Sequence, residues 1–393
     1  MITLSMSKRI LVVTGSRAEY SLLRPLIKGL STDIDFDVSL AVTGSHLSER
    51  FGATVQMIYE DGFTVDRQIN IIGTDSSKKT TLEAISLGIS DFNDYFSKSN
   101  FDLILILGDR YELLCVAIAA LIYRIPIAHL HGGEKTVAAF DDSIRHVLTK
   151  LSHLHFTSHE EYRNRVIQLG EDPMRVFNVG ALAVDAILNS KVKTRLELQD
   201  ELQIDLSGRI FLITLHPETL GIDSPKSQIQ ELIEALRSFP EATLIFTSAN
   251  ADPGGDEINS EILNFVQSCS KAYFCTSLGT DNYYSIMRIA DMMIGNSSSG
   301  IIEAPYFDLP AVNIGLRQFG RIQADNVINC SARKDEVISA IHKVINRNKE
   351  NEVSIYSKPF GQGGTSMKII KTLKASNLKG IEVKDFFDLV YEK

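Results

Sequence analysis

The chain has 393 residues, enough for two domains of ordinary size. Hydrophobic residues make up 44% and charged residues 23%, at a mean hydropathy of +0.02, which excludes a disordered or collagenous chain. A formal net charge of −9 disfavours nucleic-acid binding and demands that any anion site be a local cluster of a few arginines.

Short apolar strands alternate with helix-like stretches along almost the whole length, the pattern of an α/β protein with parallel sheets. In the first half, strands are predicted at Arg9–Val13, Val38–Val42, Leu103–Leu107, Pro126–His129, Leu154–Thr157 and Val176–Val179. The longest apolar run, Leu113–Tyr123, is shorter than the roughly 18 residues of a membrane span. Asp109, Arg110, Glu112 and Arg124 bracket it, so it reads as a buried helix and no membrane association is expected. The polar stretch Asn189–Gly208 reads as a crossing helix and linker, and the domain boundary is placed there. In the second half, strands are predicted at Ile210–Thr214, Thr243–Thr247, Ala272–Thr276, Met292–Gly295 and Ala311–Ile314. Gly and Pro cluster again at Lys358–Thr365 before a final helical stretch. Met1–Arg9 carry no signal-peptide core, and Cys115, Cys269, Cys275 and Cys330 form no CxxC pair. They read as reduced core thiols of a cytoplasmic protein.

Nearly every predicted strand ends in a small or polar cluster, in both halves of the chain. Ligands of open α/β sheets bind outside the carboxyl ends of strands, so two facing sheets would line one cleft from both sides. In TGSRAEYSLLRP, Arg17 stands where a phosphate is approached in such folds, or pairs with Glu19 or Asp109 and holds the loop. No GxGxxG motif is present, so NAD is not expected, nor any other cofactor. Asp109 ends the most apolar strand, where a charge without a task is costly, and Arg110 follows it. In HLHGGE, His129 reads as buried support and His131 as a proton-transfer or substrate-binding residue, with Glu134 as an acid–base candidate. That spacing is not HExxH and no cysteine is near, so no metal is expected.

In DDSIRH, Asp141 is an acid–base residue or a helix cap, Asp142 a first-turn acid, and Arg145 a ligand contact or half of a salt bridge. His153, His155 and His159 read as structural, and His216 in LHPE as facing the cleft. In NSSSGIIE, Ser297 and Ser298 open a helix whose free N–H groups suit phosphate, the simpler alternative being a cap. Glu303, one turn on, is placed to accept hydrogen bonds from a ribose diol. Arg317 and Arg321 in GLRQFGR supply the remaining local positive charge.

Taken together, VTGSRAEYSLLRPL, LGDRYE, HLHGGEKTVAAFDDSIRH, HPET, SANADPGG, IGNSSSGIIEAP and VNIGLRQFGR resemble the hydrolysing UDP-N-acetylglucosamine 2-epimerases, in particular the bacterial branch that makes N-acetylmannosamine for sialic-acid capsule. The resemblance implies two Rossmann-like domains facing across a cleft, as in the GT-B glycosyltransferases, at residues 1–187 and 188–373. It implies a C-terminal helix, 374–393, packing back on the first domain, and a homodimer. It implies a UDP-sugar substrate contacted by Arg17, Ser21, Arg110, His216, Asn250, Ser297, Ser298, Glu303 and Arg317, with Asp109, Glu134 and Asp141 as acid–base residues. Other branches carry Glu at the position of His131, so its role does not transfer directly.

The implied reaction removes the C2 proton and UDP to give a 2-acetamidoglucal, then adds water to give N-acetylmannosamine. Three alternatives stand beside it: the same reaction on a di-N-acetylated 6-deoxy sugar nucleotide of the legionaminic acid route, a GT-B glycosyltransferase, and a silent sugar-nucleotide-binding protein.

Overall fold

The structure, a computed structural model, describes residues 7–73, 75, 77–137, 139–349 and 355–389. Seven strands form the first sheet: β1 (Lys8–Thr14), β2 (Phe36–Thr43), β3 (Arg67–Ile69), β4 (Leu103–Leu107), β5 (Ile127–Leu130), β6 (Leu154–Thr157) and β7 (Val176–Asn178). Six form the second: β8 (Ile210–Thr214), β9 (Thr243–Thr247), β10 (Ala272–Cys275), β11 (Met292–Gly295), β12 (Ala311–Ile314) and β13 (Val327–Cys330). Every pairing is parallel, in the orders β3-β2-β1-β4-β5-β6-β7 and β10-β9-β8-β11-β12-β13. Both are doubly wound Rossmann-like sheets, and the two domains face each other across a cleft.

Central strands such as β4 and β8 are buried at every residue, because helices cover both faces of a parallel sheet. Their side chains feed separate clusters on the two faces, Leu103, Leu105 and Leu107 on one and Ile104 and Ile106 on the other. In each sheet the strand order reverses beside the first strand, between β1 and β4 and between β8 and β11. Those two switch points are where the loops leave room for a ligand.

The structure adds two strands to those predicted. In β3 two of three residues are exposed, and β13 is half-buried apart from exposed Asn329, so neither has the apolar run of a buried strand. The helix at Tyr111–Tyr123 is buried or half-buried through Ala120, while Leu121 and Ile122 of its last turn are exposed. Of the four free cysteines only Cys115 lies in the core; the other three are half-buried. The polar stretch after β7 carries the helix Arg195–Leu202, opened by a capping box of Thr194 and Glu197. Among the described residues no helix is long and apolar enough to cross a membrane.

The final helix is the main correction. It runs from Thr365 to Ala375 rather than over 374–393. Residues 376–389 are turns and irregular chain, with Gly380 at φ +77°, and residues 390–393 lie outside the described part. The helix packs on the first-domain helix Arg17–Ser31, close enough that a Cβ at Gly29 would overlap Ile370. First-domain side chains also fix both of its ends. Asp185 accepts from the Thr365 and Ser366 amides at 3.1 and 2.6 Å, and the Lys8 ammonium donates to the Leu373, Lys374 and Ser376 carbonyls at 2.6–2.9 Å.

Beyond it, Lys384 donates to both oxygens of buried Glu171 at 2.8 and 2.9 Å, beside His155 at 3.0 Å and Lys150. Burial alone would raise the Glu171 pKa, but these partners outweigh it and hold it down at about 2. A depressed carboxyl pKa contributes stability that is complete above the ordinary carboxyl range and is lost as pH falls toward 2. Glu171→Gln, which leaves two lysines facing a neutral amide, is expected to cost about 3–5 kcal/mol at pH 7. Urea unfolding at pH 7 and pH 3 measures it: the deficit should shrink at the lower pH, and an equal deficit at both would exclude the charge as its source.

Candidate active site

The loops at the carboxyl ends of the two sheets enclose a cleft of about 350 Å³. On the first-domain side, the loop after β1 is folded by a serine cap. Ser16 Oγ accepts from the Glu19 amide at 3.4 Å, and the Glu19 carboxylate accepts from the Gly15 amide at 2.8 Å. Burial and neighbouring Glu112 push the Glu19 pKa up to about 8. The cap frees Arg17 to point across the cleft, where it donates to Ser277 Oγ at 2.9 Å rather than to Glu19 or Asp109. One turn on, Ser21 meets Thr280 of the second domain at 2.7 Å.

The loop after β4 delivers Asp109 and Arg110. Asp109 is paired with Arg145, and Thr136 Oγ1 donates to it at 3.4 Å. Burial alone would raise its pKa, but the guanidinium groups of Arg145, Arg317, Arg321 and Arg110 outweigh that and hold it below the ordinary value. Arg110 is shared between Glu112 of its own domain at 3.1 Å and Asp252 of the other at 2.8 Å.

The loop after β5 bends sharply: His131 takes a left-handed conformation (φ +61°) and Gly133 another (φ +79°). The His131 ring accepts the Leu182 amide at Nε2, 3.3 Å away, so its proton sits on Nδ1 and points to Glu134 Oε1 at 3.1 Å. Burial, with Arg145 and Arg321 beside it, pushes the His131 pKa down to about 3, so the ring is neutral. Glu134 also accepts from Ser158 at 2.8 Å and pairs with Arg321. His129 is support: Nε2 donates to the Gly108 carbonyl at 2.7 Å, beneath Asp109 in sequence.

Asp141 does not line the cleft. It is 3% exposed, 3.9 Å from Arg317, with Oδ1 unpartnered. Burial, then the charges of Asp252 and Asp109, push its pKa well above the carboxylate range. Arg145 is not free for a ligand: it is 4% exposed and donates to Asp109, the Thr136 hydroxyl and the His131 carbonyl.

On the second-domain side, His216 is held by Asn296, which accepts from its amide at 2.7 Å and donates to its carbonyl at 2.8 Å. His216 Nδ1 accepts from the Asn250 amide at 3.2 Å, and burial with Arg317 and Arg110 nearby keeps the ring neutral. Its Nε2 therefore carries the proton. Ser297 and Ser298 line the cleft after β11, but the helix they open is only Ser299–Ile302. The Ser298 side chain caps nothing, and a single turn lacks the dipole of a full helix, so the expected helix terminus reduces to two hydroxyls and loop amides. Glu303 lies in the wall and accepts from the Tyr284 hydroxyl at 2.7 Å.

The cleft thus gathers all the sequence-derived site residues except Asp141. Sequence reasoning missed the role of Asp252, the partner of Arg110, and of the hydroxyls Ser277 and Thr280. It counted Arg321 as local charge without placing it. No local pattern marks these residues, because each acts on the facing domain.

The family model of the UDP-N-acetylglucosamine 2-epimerases matches residues 28–374. The chain belongs to that family. Among curated epimerase relatives, it is 42% identical to a GDP/UDP-N,N'-diacetylbacillosamine 2-epimerase (hydrolyzing) of Campylobacter jejuni, over 98% of this chain and 100% of that one. It is 37% identical to the polysialic acid biosynthesis protein P7 of Escherichia coli, over 97% and 98% of the two chains. It is 35% identical to a UDP-N,N'-diacetylbacillosamine 2-epimerase (hydrolyzing) of Legionella pneumophila, over 94% and 96%. The solved UDP-GlcNAc 2-epimerase of Neisseria meningitidis bound to UDP-GlcNAc shares the fold, with a TM-score of 0.80 at 19% identity over 94% of this chain and 100% of that one.

In this epimerase the turn that places Glu134 depends on Gly133. A Cβ there would overlap the Tyr162 carbonyl oxygen, and Arg165 already holds the Gly133 carbonyl. Gly133→Ala is expected to destabilise by about 1–3 kcal/mol, the range for a strained left-handed residue. Urea denaturation measures the loss, and an unchanged midpoint would show that the loop absorbs the methyl.

Proposed function

We propose that this epimerase is hydrolysing and acts on a UDP-linked, di-N-acetylated 6-deoxy sugar, giving UDP and the free sugar of manno configuration. The chemistry rests on one arrangement: Asp109 is ion-paired with Arg145, which helps to hold it below the ordinary carboxyl range, while Asp141, buried with Oδ1 unpartnered, is pushed above it. The choice of sugar is supported by the identity to the Campylobacter and Legionella proteins named for diacetylbacillosamine. The resemblance to capsule-type enzymes and the relative named for polysialic acid favour UDP-N-acetylglucosamine as the second reading. A homodimer in the cytoplasm is part of the reading, supported by the family resemblance and by four free cysteines.

In the first step ionised Asp109 takes the C2 proton while the C1–O bond breaks, leaving a C1=C2 double bond and UDP. The diphosphate develops its charge against Arg17, the Ser297 and Ser298 hydroxyls and the His216 Nε2–H. In the second step the hydroxyl of a water bonds to C1, and protonated Asp141 supplies C2 from the opposite face. Water's remaining proton restores Asp141, Asp109 returns its proton to solvent, and one proton is released per turnover. Asp141 stands behind the cleft wall, 3.9 Å from Arg317, so this step requires Arg317 to move aside.

Incubation with each sugar nucleotide in deuterated water, followed by proton NMR, tests the reading. UDP and a manno sugar deuterated at C2 are expected, with kcat/KM at least roughly 10-fold higher for the diacetylated substrate, the scale of one well-fitted substituent. The reverse preference returns UDP-N-acetylglucosamine as the substrate. Protium retained at C2 removes the elimination, and UDP release that needs an acceptor makes the protein a transferase.

The two carboxylates separate by their variants. Asp109→Asn should lower UDP release by roughly 10²-fold or more. Asp141→Asn should release UDP faster than free sugar, so that the acetamidoglucal accumulates. With an ionised base and a protonated acid required, kcat follows a bell. Its acid limb lies below the ordinary aspartate range and its alkaline limb well above it. Loss of the alkaline limb in Asp141→Asn is the expected signature; a limb that persists unchanged reassigns the acid.

A further inference from the structure

The loop after β12 carries three consecutive contacts that run from the nucleotide side of the cleft to the acid–base side. Gln318, fully buried, donates through Nε2 to the Asn296 carbonyl at 2.7 Å. Asn296 itself holds His216 and precedes Ser297 and Ser298. The other end of the same amide, Gln318 Oε1, accepts from Arg321 Nη1 at 3.0 Å. Arg321 then reaches across the cleft and pairs through Nη2 with Glu134 of the first domain. Glu134 is 1% exposed and has its remaining oxygen taken by Ser158 and His131. The loop is anchored at its base by Glu218, which accepts from the Leu316 and Arg317 amides at 2.6 and 3.1 Å. At its far end the Tyr162 hydroxyl of the first domain accepts from the Ile322 amide at 3.0 Å.

We propose that Arg321 is a positioning residue that orients Glu134 only when the second domain closes over the first, so that the nucleotide loop and the proton-transfer site are assembled together through Gln318. The inference deepens the function proposed above and rests on it for its catalytic readout. The physical reason is desolvation. Glu134 sits in a wall with no water-exposed side, where a carboxylate needs a cation, and Arg145 stands at 3.7 Å and is committed to Asp109. Arg321 is the guanidinium that meets the second oxygen directly. Its own Nε is buried without a partner, so the side chain is held by the two Nη contacts alone.

Steady-state kinetics and UDP titration of wild type, Arg321→Gln and Arg321→Lys test this. Arg321→Gln is expected to lower kcat by roughly 10²-fold, because a Glu134 without its cation draws Arg145, 3.7 Å away, off Asp109 and misplaces the base, with KM and the UDP Kd within about threefold of wild type. Arg321→Lys keeps the charge and should recover part of kcat. An unchanged kcat in Arg321→Gln overturns the proposal, and so does a loss carried entirely by KM and Kd, which would make Arg321 a nucleotide ligand. Wild-type turnover on the two sugar nucleotides tests the function by itself. If wild type turns over neither, small-angle scattering with saturating UDP decides the contact: a larger radius of gyration for Arg321→Gln than for wild type supports it, and identical radii overturn it.

Discussion

The cleft is built around the problem of keeping arginines buried beside carboxylates without water. Five arginines line it, and four of them, Arg110, Arg145, Arg317 and Arg321, have a carboxylate oxygen within 3.9 Å. Removing one member of such a pair leaves a bare charge in a poor dielectric, so each partner fixes the other. Arg17 is different. Its contact across the cleft is a neutral hydroxyl, so its charge is not spent on a carboxylate, which suits it to the diphosphate role proposed above. The positive field of this acidic chain is thus local, gathered at the cleft by arginines from both domains.

The fold delivers those charges from two equivalent places. In each sheet the order reverses beside the first strand, and the loops there diverge instead of packing on each other. Arg17 and Asp109 leave one switch point, after β1 and β4. His216 and Ser297 leave the other, after β8 and β11. What remains is to hold the two halves in register. Polar pairs do so around the cleft, among them Arg17 to Ser277, Ser21 to Thr280, Arg110 to Asp252 and Arg321 to Glu134, and behind them Tyr162, Ala183 and Val184 pack with Ile301, Ile302 and Phe360 of the second domain.

Buried parallel strands are legible in sequence because both faces are covered, so β4 reads LILIL and β8 reads IFLIT. Strands β3 and β13 escape for the complementary reason, since edge strands keep one side in water and lose the apolar run. The lining of the candidate cleft was legible where polar residues cluster along the chain, as at Gly108-Asp109-Arg110 and Ser297–Ser298. It was illegible where function depends on a pair far apart in sequence. Nothing near Asp252 says that it will meet Arg110, 142 residues earlier. Arg145 was an even choice between ligand and salt bridge until the structure showed its donors committed to Asp109, Thr136 and the His131 carbonyl. The final helix was displaced because Gly363 and Gly364 adopt left-handed conformations and start it at Thr365, a turn that composition marks but does not direct.

An elimination that passes through an unsaturated sugar has to prevent that sugar from leaving before water adds. Binding energy confined to the nucleotide cannot do this, because UDP is no longer attached once the C1–O bond has broken. The groups that act in the second half of the reaction must therefore be held by closure itself rather than by the leaving group. Asp141 lies beside Arg317 and Glu134 beside Arg321, both arginines rising from the same second-domain loop. That loop is braced on Glu218 and Asn296. On the proposed mechanism, its contacts with the first domain outlast the C1–O bond and keep the acid, the carboxylate wall and the unsaturated intermediate together while the second proton is transferred.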